Sequence, residues 1–112
     1  MKELDGSNFE SEVLGSSLPA VVEIWGSWWQ TCQILTAQVE TLSKEEYEGI
    51  VNFYILDAGA NRGFITALKV KGVPSFMFYK NGHLFDTMIG NHLKKEEIRE
   101  KTEALRQWEP GN

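Results

Sequence analysis

Two apolar runs separated by a helical pattern constrain the fold of this chain more than any other feature. AVVEIWG (20–26) and IVNFYIL (50–56) are rich in β-branched and aromatic residues. Such near-continuous apolar runs are typical of strands that are buried on both faces. Residues 30–48, between them, place apolar side chains at helical spacing, namely Ile34, Leu35, Val39 and Leu42. Two strands joined by a helix are expected to lie parallel in one sheet.

A β-hairpin is the clearest local signal, in SFMFYKNGHLFDTMIG. Residues 75–79 and 83–89 read as strands, and KNG (80–82) between them contains the Asn-Gly pair that favours a tight hairpin turn. Gly90 ends the second strand, at a bulge or a close backbone approach. An antiparallel hairpin added to a parallel pair predicts a mixed sheet.

Helical patterns flank these strands. Ser7 and Glu10 have the spacing of a capping box for a first short helix, which ends by Gly15–Pro19. Its inward face is expected to comprise Phe9, Val13 and Leu14.

Two later helices complete the predicted order α-β-α-β-α-β-β-α. The first covers residues 61–69 with Asn61 as its cap, and the second covers 94–107. The inward residues of the second are Ile98, Thr102 and Leu105. The expected fold class is α/β, with one domain over residues 1–112 and a central mixed sheet flanked by helices on both faces.

Charge and composition disfavour several classes of function. A net charge of -5 argues against binding to nucleic acid. No apolar run approaches the ~20 residues of a membrane span, and MKELDGSNFESEV is too polar for a secretory signal. The single cysteine, Cys32, allows no disulfide within the chain, which favours a reducing compartment. We therefore expect a cytoplasmic protein.

Patterns for metals and cofactors are not recognisable. His83 and His92 fall on a hairpin and a loop, and with one cysteine they make no familiar metal site. We find no phosphate loop and no dinucleotide fingerprint. The sequence therefore predicts neither a metal nor a cofactor.

The segment WGSWWQTCQ (25–33) joins the first predicted strand to its helix. Ligands of open α/β sheets bind at the carboxyl ends of strands, and a helix N-terminus lowers the pKa of a thiol at its first position. Cys32 lies about one turn further along, three residues after Trp29. A thiol there is expected to be shielded and to behave as a small apolar side chain.

This segment and its surroundings resemble the thioredoxin family, from about Ser7 to Leu105. The family signature Trp-Cys-Gly-Pro-Cys is matched here by Trp28-Trp29-Gln30-Thr31-Cys32. VVEIWGS resembles the family's strand with a buried carboxylate, KGVPSFMFYKNG its cis-proline segment and hairpin, and MIG the glycine end of the last strand. The resemblance implies a thioredoxin fold.

The departures from the family motif concern its chemistry. In the family, the first cysteine attacks a substrate disulfide as a thiolate, and the second resolves the mixed disulfide. Trp29 stands at the first position, whereas Cys32 keeps the second. Indole has no thiolate chemistry, so a dithiol–disulfide cycle within one chain is excluded. Gln30 and Thr31 replace the family's Gly-Pro, which fits relaxed redox tuning.

Glu23 falls where the family has a buried aspartate that helps to deprotonate the resolving cysteine. Burial is expected to raise its pKa through desolvation. Ile55 stands where many members have an accompanying lysine on the neighbouring strand. A functional role and a purely structural role for Glu23 both stay open.

The resemblance also implies a groove for an extended substrate. Pro74 matches the family's cis-proline, and the backbone of Val73 would pair with a segment of a protein or peptide partner as an added strand. The other expected groove residues are Trp28, Trp29, Gln30, Thr31 and Gly90.

Four tryptophans are expected in different surroundings. Trp25 and Trp28 are predicted to be core or rim aromatics, whereas Trp29 should project from the exposed helix start. Trp29 either contacts a partner or folds over Cys32 and plugs the vacated site. Trp108 should pack at an edge of the fold, with a dimer contact as the alternative, so a monomer or weak dimer is expected.

Three functional hypotheses follow. In the first, the chain is a thioredoxin-like protein without dithiol–disulfide activity that binds an extended partner segment beside Pro74. In the second, it is a single-thiol redox protein whose Cys32 forms a mixed disulfide with glutathione, a partner or a second copy. In the third, the sequence is altered from an ordinary thioredoxin disulfide reductase, and Trp29 replaces a natural cysteine.

Overall fold

The fold is built on one mixed sheet, seen in a computed structural model that describes residues 1–90 and 92–110. The described strands are β1 (Lys2–Leu4), β2 (Ala20–Trp25), β3 (Asn52–Asp57), β4 (Ser75–Lys80) and β5 (His83–Ile89). The described helices are a π-helical turn (Glu10–Leu14), α1 (Gln30–Glu46), α2 (Arg62–Ala67) and α3 (Lys95–Gln107).

The sheet has the order β1-β3-β2-β4-β5, which confirms the α/β fold class. β2 and β3 are parallel. β2 is the central strand, and its residues Ala20 to Ile24 are all buried, as expected of a strand covered on both faces. β4 runs antiparallel to β2, and β5 antiparallel to β4. The C-terminal end of β2 therefore lies beside the N-terminal end of β4.

Two hydrophobic cores lie on the two faces of the sheet, since alternate strand residues point to opposite sides. One core packs α1 and α3 against residues such as Val21, Phe76 and Phe78. The other packs the π-helical turn and α2 against residues such as Val22 and Met77. The predicted helices on both faces are confirmed.

The predicted hairpin is confirmed in detail. Asn81 and Gly82 connect β4 to β5 with φ values of 52° and 80°. Positive φ at both central residues is characteristic of the type I′ turn, whose twist matches that of the strands.

The N-terminal segment differs from the prediction in two respects. β1 precedes the helical turn and pairs in parallel with the edge of β3, so the described part of the chain begins with a strand. The capping box of Ser7 and Glu10 is absent from the described hydrogen bonds. Instead, the Asp5 carboxylate accepts hydrogen bonds from the backbone N–H groups of Ser7 and Asn8, at 2.8 and 3.2 Å. A charged acceptor makes a stronger bond than a hydroxyl, which explains the exchange.

Two predicted core residues are on the surface. Ile34 is 59% exposed because the buried stripe of α1 follows Cys32, Leu35, Thr36 and Val39, and Ile34 lies off that stripe. Leu14 is 39% exposed at the end of the π-helical turn, whose wider geometry does not keep the 3.6-residue period.

Helix ends also differ from the pattern. Asn61 is the N-cap residue of α2, but its side chain donates a hydrogen bond to the Asp57 carbonyl instead of accepting one from the helix. Trp108 follows α3 and packs against Phe85, with ring centroids 5.0 Å apart, as expected of an edge residue. In the described ranges, no helix is both long and apolar enough to span a membrane.

Candidate functional site

The candidate site begins where β2 passes into α1. Trp29 is the N-cap residue of α1, with extended dihedral angles of -108° and 113°. Its N–H donates to the Gly26 carbonyl at 3.0 Å, and the Gln33 side chain donates to the Ser27 carbonyl at 2.8 Å. These bonds hold residues 26–29 in a tight connection at the carboxyl end of a central strand.

Trp28 is the exposed aromatic at this site, with 65% of its surface open to solvent. Its ring lies so close to Gly26 and Gly59 that a Cβ at either glycine would come within 2.8 Å of it. A ring that packs on two glycines fits the prediction of a rim aromatic for Trp28, whereas Trp29, which was expected to project, is the less exposed of the two. Gly59 follows β3, so the surface under Trp28 is assembled from segments distant in sequence.

Trp29 is half-buried, and its neighbour Gln30 is exposed. The side chain of Thr31 lies outside the described part of the structure. The two roles considered for Trp29, contact with a partner or closure over Cys32, both fit a half-buried side chain at a helix start.

Cys32 is fully buried, with 0% of its surface exposed. Burial raises the pKa of its thiol, and the charge of Glu23 acts in the same direction. A backbone hydrogen bond with Gly26 opposes these effects without overcoming them. A buried thiol of raised pKa is a poor nucleophile at neutral pH, since the thiolate is the reacting form.

Glu23 is a buried carboxyl group, 1% exposed, on the face of β2 that α1 covers. The hydroxyl of Thr36 donates a hydrogen bond to its Oε2, while its Oε1 has no partner among the residues described. Desolvation raises the pKa of Glu23 to about 7, against the opposing effect of the Thr36 hydrogen bond. The predicted direction of this shift is confirmed.

The neighbouring strand offers Glu23 no cation. β3 places Ile55 directly opposite Glu23 in the parallel register. Thr36, which sequence reasoning did not select, is the residue that supports the carboxyl group. The available signal was a polar residue at the i+4 position from Cys32, within the otherwise apolar stripe of α1.

Val73 and Pro74 adjoin this site because β2 pairs with β4, with Ile24 opposite Ser75. The Val73–Pro74 peptide bond is cis. The Pro74 carbonyl accepts a hydrogen bond from the Gly90 N–H at 3.0 Å, which joins the end of β5 to the same edge. Neither the N–H nor the C=O of Val73 forms a hydrogen bond with any residue in 1–90 or 92–110.

A depression of about 360 Å³ lies apart from these residues, at the carboxyl ends of β1 and β3. Its polar lining includes Glu3, Asp5 and Asp57. Across the residues that the structure describes, no group of three or more His, Cys, Asp or Glu side chains is placed to hold a metal ion.

Comparison with known proteins gives one family. A family model described as Thioredoxin matches residues 1–104. A thioredoxin of Rickettsia bellii is 34% identical over 91 residues, which cover 81% of this chain and 86% of that protein. A thioredoxin of Rickettsia felis is also 34% identical, over 88 residues that cover 79% of this chain and 83% of the relative. A chloroplastic M-type thioredoxin of Pisum sativum is 29% identical over 100 residues, which cover 89% of this chain and 57% of the relative.

Proposed function

Because the chain belongs to the thioredoxin family, we propose that it binds an extended segment of a protein or peptide in the family's substrate groove and has lost dithiol–disulfide exchange. The observation that carries this proposal is the backbone of Val73. Its N–H and C=O have no partner in the described ranges, and they lie beside Pro74 at the edge of the site.

Loss of dithiol exchange is supported by the count of sulfur atoms. The exchange needs one thiolate to attack and a second to resolve the mixed disulfide. This chain has one cysteine, and Trp29 occupies the helix start, where the family's attacking sulfur would be. No intramolecular disulfide can form, so the chain cannot take up or release the electron pair of a dithiol–disulfide cycle.

Single-thiol exchange through Cys32 is less well supported. Such exchange requires an accessible thiolate, whereas Cys32 is fully buried and burial raises its pKa. A substrate sulfur would have to reach it past the residues that start α1.

Binding of an extended segment is supported by the backbone and by the surface around it. A free N–H and C=O on one residue can form the paired hydrogen bonds of an added antiparallel strand. Trp28 follows β2 at the same end of the sheet and presents a large exposed ring there. Exposed aromatics are frequent anchors at interfaces.

Strand pairing can be tested without changing the protein. Peptides selected from a random seven-residue library against the native chain would be compared with analogues N-methylated at single positions. Methylation removes one peptide N–H, so the analogue that can no longer donate to the Val73 C=O should bind about fivefold or more weakly. Titration of 15N-labelled protein should shift the amide signals of Val73 and Gly90.

Two outcomes would contradict the proposal. Equal affinity of every methylated analogue would exclude strand pairing, and reduction of insulin by the native chain with dithiothreitol would show that disulfide exchange persists. Trp28→Ala should weaken binding if Trp28 contacts the peptide, and Ile34→Ala, at another exposed apolar residue, is the matched surface control.

A further inference from the structure

A groove of about 320 Å³ lies beside the C-terminal end of α2, on the sheet face that α2 covers. We call it the lysine groove, and its lining residues are Leu68, Lys69, Val70, Lys71, Ser75, Met77, Leu84, Thr87 and Ile89. None of these residues was predicted from the sequence to belong to a site. Its volume is near the lower end of the ~300–1,000 Å³ range of ligand pockets, so it suits a few side chains.

The floor of the lysine groove is an apolar surface that the fold leaves uncovered. Leu84 and Ile89 are 49% and 43% exposed, and both belong to β5, the edge strand. Ser75 pairs with Ile89 and Met77 with Thr87, so the floor is continuous across β4 and β5. Large apolar side chains at an open sheet edge favour contact with another chain.

The charge of the lysine groove is opposite to that of the chain. The protein has 16 acidic and 11 basic residues, yet among the described residues no carboxylate lines this groove, whereas Lys69 and Lys71 do. Neither lysine forms an ion pair or side-chain hydrogen bond within the described chain. Five other cations do form ion pairs, namely Lys2, Lys44, Arg99, Lys101 and Arg106.

Lys69 occupies a backbone position that favours glycine. It follows the C-terminal end of α2 with φ of 63°, and its N–H donates to the Thr66 carbonyl at 3.0 Å. This left-handed position after a helix is usually glycine, because a side chain there is strained. A lysine at such a position lowers stability, which suggests that its charge serves a purpose other than folding.

The lysine groove adjoins the proposed substrate groove at Val73. Ser75 follows Pro74 directly, and Ile89 precedes Gly90, whose N–H bonds to Pro74. A segment that pairs with Val73 is therefore led across Ile89 towards the two lysines.

We propose that the partner segment is acidic and apolar, and that it extends from Val73 into the lysine groove. Its apolar side chains cover Leu84 and Ile89, and its carboxylates face Lys69 and Lys71. This inference rests on the proposed function and specifies the class of partner. The local charge of Lys69 and Lys71 selects an acidic segment over a basic one, although the net charge of -5 of the whole chain attracts basic segments at long range.

The proposal can be tested with three synthetic peptides of ten residues. The first alternates valine with glutamate, the second valine with glutamine, and the third valine with lysine. Fluorescence polarisation should show that the glutamate peptide binds at least fourfold more tightly than the glutamine peptide, and that added salt removes the difference. The lysine peptide should bind most weakly.

Variants of the two lysines identify the contact. Lys69→Gly should weaken binding of the glutamate peptide about two- to fivefold while raising the thermal midpoint, because glycine relieves the left-handed backbone. Lys71→Gln should weaken it by a similar factor with an unchanged midpoint. Arg62→Gln, at the other end of α2, is the matched control and should change affinity by less than twofold. None of these variants should alter binding of the glutamine peptide.

The remaining outcomes distinguish failure of the acidic partner from failure of strand binding. If the glutamine peptide binds as tightly as the glutamate peptide and the lysine variants have no effect, the acidic partner is excluded while strand binding stands. If none of the three peptides binds while peptides from the random library do, the acidic partner is excluded and strand binding stands; if neither set binds, both proposals fail. Concentration-dependent dimers that Leu84→Gln abolishes, or binding to phosphatidylglycerol vesicles that the glutamate peptide does not compete with, would assign the lysine groove to a second copy or a lipid surface instead.

Discussion

The hydroxyl of Thr36 donates a hydrogen bond to Oε2 of Glu23 within the core, across the interface between α1 and β2. Both residues are buried, and Oε1 of Glu23 has no partner in the part of the chain that the structure describes. A carboxyl group with one satisfied oxygen is easier to bury in its protonated, neutral form. The pH dependence of stability follows from this arrangement.

Stability should decrease as the pH rises from about 4.5 to about 7. The pKa of Glu23 is raised to about 7 in the folded chain, from 4.5 for a solvated glutamate. In this window the unfolded chain ionises Glu23 while the folded chain keeps the proton, so unfolding is favoured by up to about 3 kcal/mol. Urea midpoints between pH 5 and pH 8 measure the slope.

Glu23→Gln is the control for that slope, because the amide does not titrate. The carboxyl groups of Asp5, Glu46, Asp86 and Glu103 have lowered pKa values and change stability in the opposite direction, at more acidic pH. Equal slopes for the native chain and Glu23→Gln would contradict a raised pKa for Glu23.

Thr36→Val should destabilise the fold by about 1–3 kcal/mol, since it leaves Oε2 of Glu23 without a donor. The same change should raise the pKa of Glu23 further, because the hydrogen bond from Thr36 lowers it. The carboxyl 13C shift of Glu23 reports the pKa during a pH titration. Thr41→Val is the matched control on α1, where the hydroxyl is exposed and bonds to the Ala37 carbonyl. A carboxyl titration curve that does not move in Thr36→Val would mean that Thr36 does not support the carboxylate.

Cys32 should resist thiol reagents in the native state. The side chain is fully buried and its pKa is raised by burial, so labelling should require opening of the fold. Ellman's reagent should react slowly with the native chain and at once with the chain in guanidinium chloride. Rapid labelling without denaturant would favour the single-thiol hypothesis over the loss of redox function.

Trp29→Cys should restore disulfide chemistry if the surrounding machinery is intact. The new thiol would stand at the N-cap of α1, where the helix dipole lowers a thiol pKa, three residues before Cys32. We expect a disulfide to form within the oxidised variant, and we expect the variant to catalyse the reduction of insulin by dithiothreitol. The double change Trp29→Cys and Cys32→Ser should show neither. Failure of the disulfide to form in Trp29→Cys would mean that the start of α1 no longer suits the exchange.

Gly59→Ala should displace the ring of Trp28, because the added Cβ would lie 2.8 Å from it. Tryptophan emission should shift, and affinity for groove peptides should fall if Trp28 is an anchor. Gly63→Ala is the matched control, since no atom lies within 4 Å of its Cβ position. In α2, that change should stabilise the fold by about 0.5–1 kcal/mol. Unchanged emission in Gly59→Ala would show that the ring does not rest on Gly59 in solution.

Most of the sheet could be predicted from the sequence because its signals are local. The run AVVEIW and the Asn81-Gly82 turn each carry a period or a dihedral preference that neighbouring residues do not override. β1 could not be predicted, since three residues with two charges have no strand signal of their own. It forms because β3 offers a parallel edge.

The candidate site could be predicted from the sequence only in part. Burial of Cys32 followed from its place one turn into α1, which is a local property. The exposure of Trp28 did not, because its ring rests on Gly59, which the chain brings into place after β3. The lysine groove was missed for the same reason, since α2, β4 and β5 all contribute to it.

The sequence by itself determined which reactive atoms exist. One sulfur and an indole at Trp29 exclude an intramolecular dithiol cycle in any conformation, because covalent chemistry depends on the atoms present. Only the tertiary structure decided the surroundings of those atoms: the donor that Thr36 offers to Glu23, the backbone of Val73, which has no partner among the described residues, and the groove beside Lys69. Desolvation, hydrogen-bond satisfaction and surface charge depend on contacts between residues distant in the chain, so they emerge only when the sheet and its helices assemble.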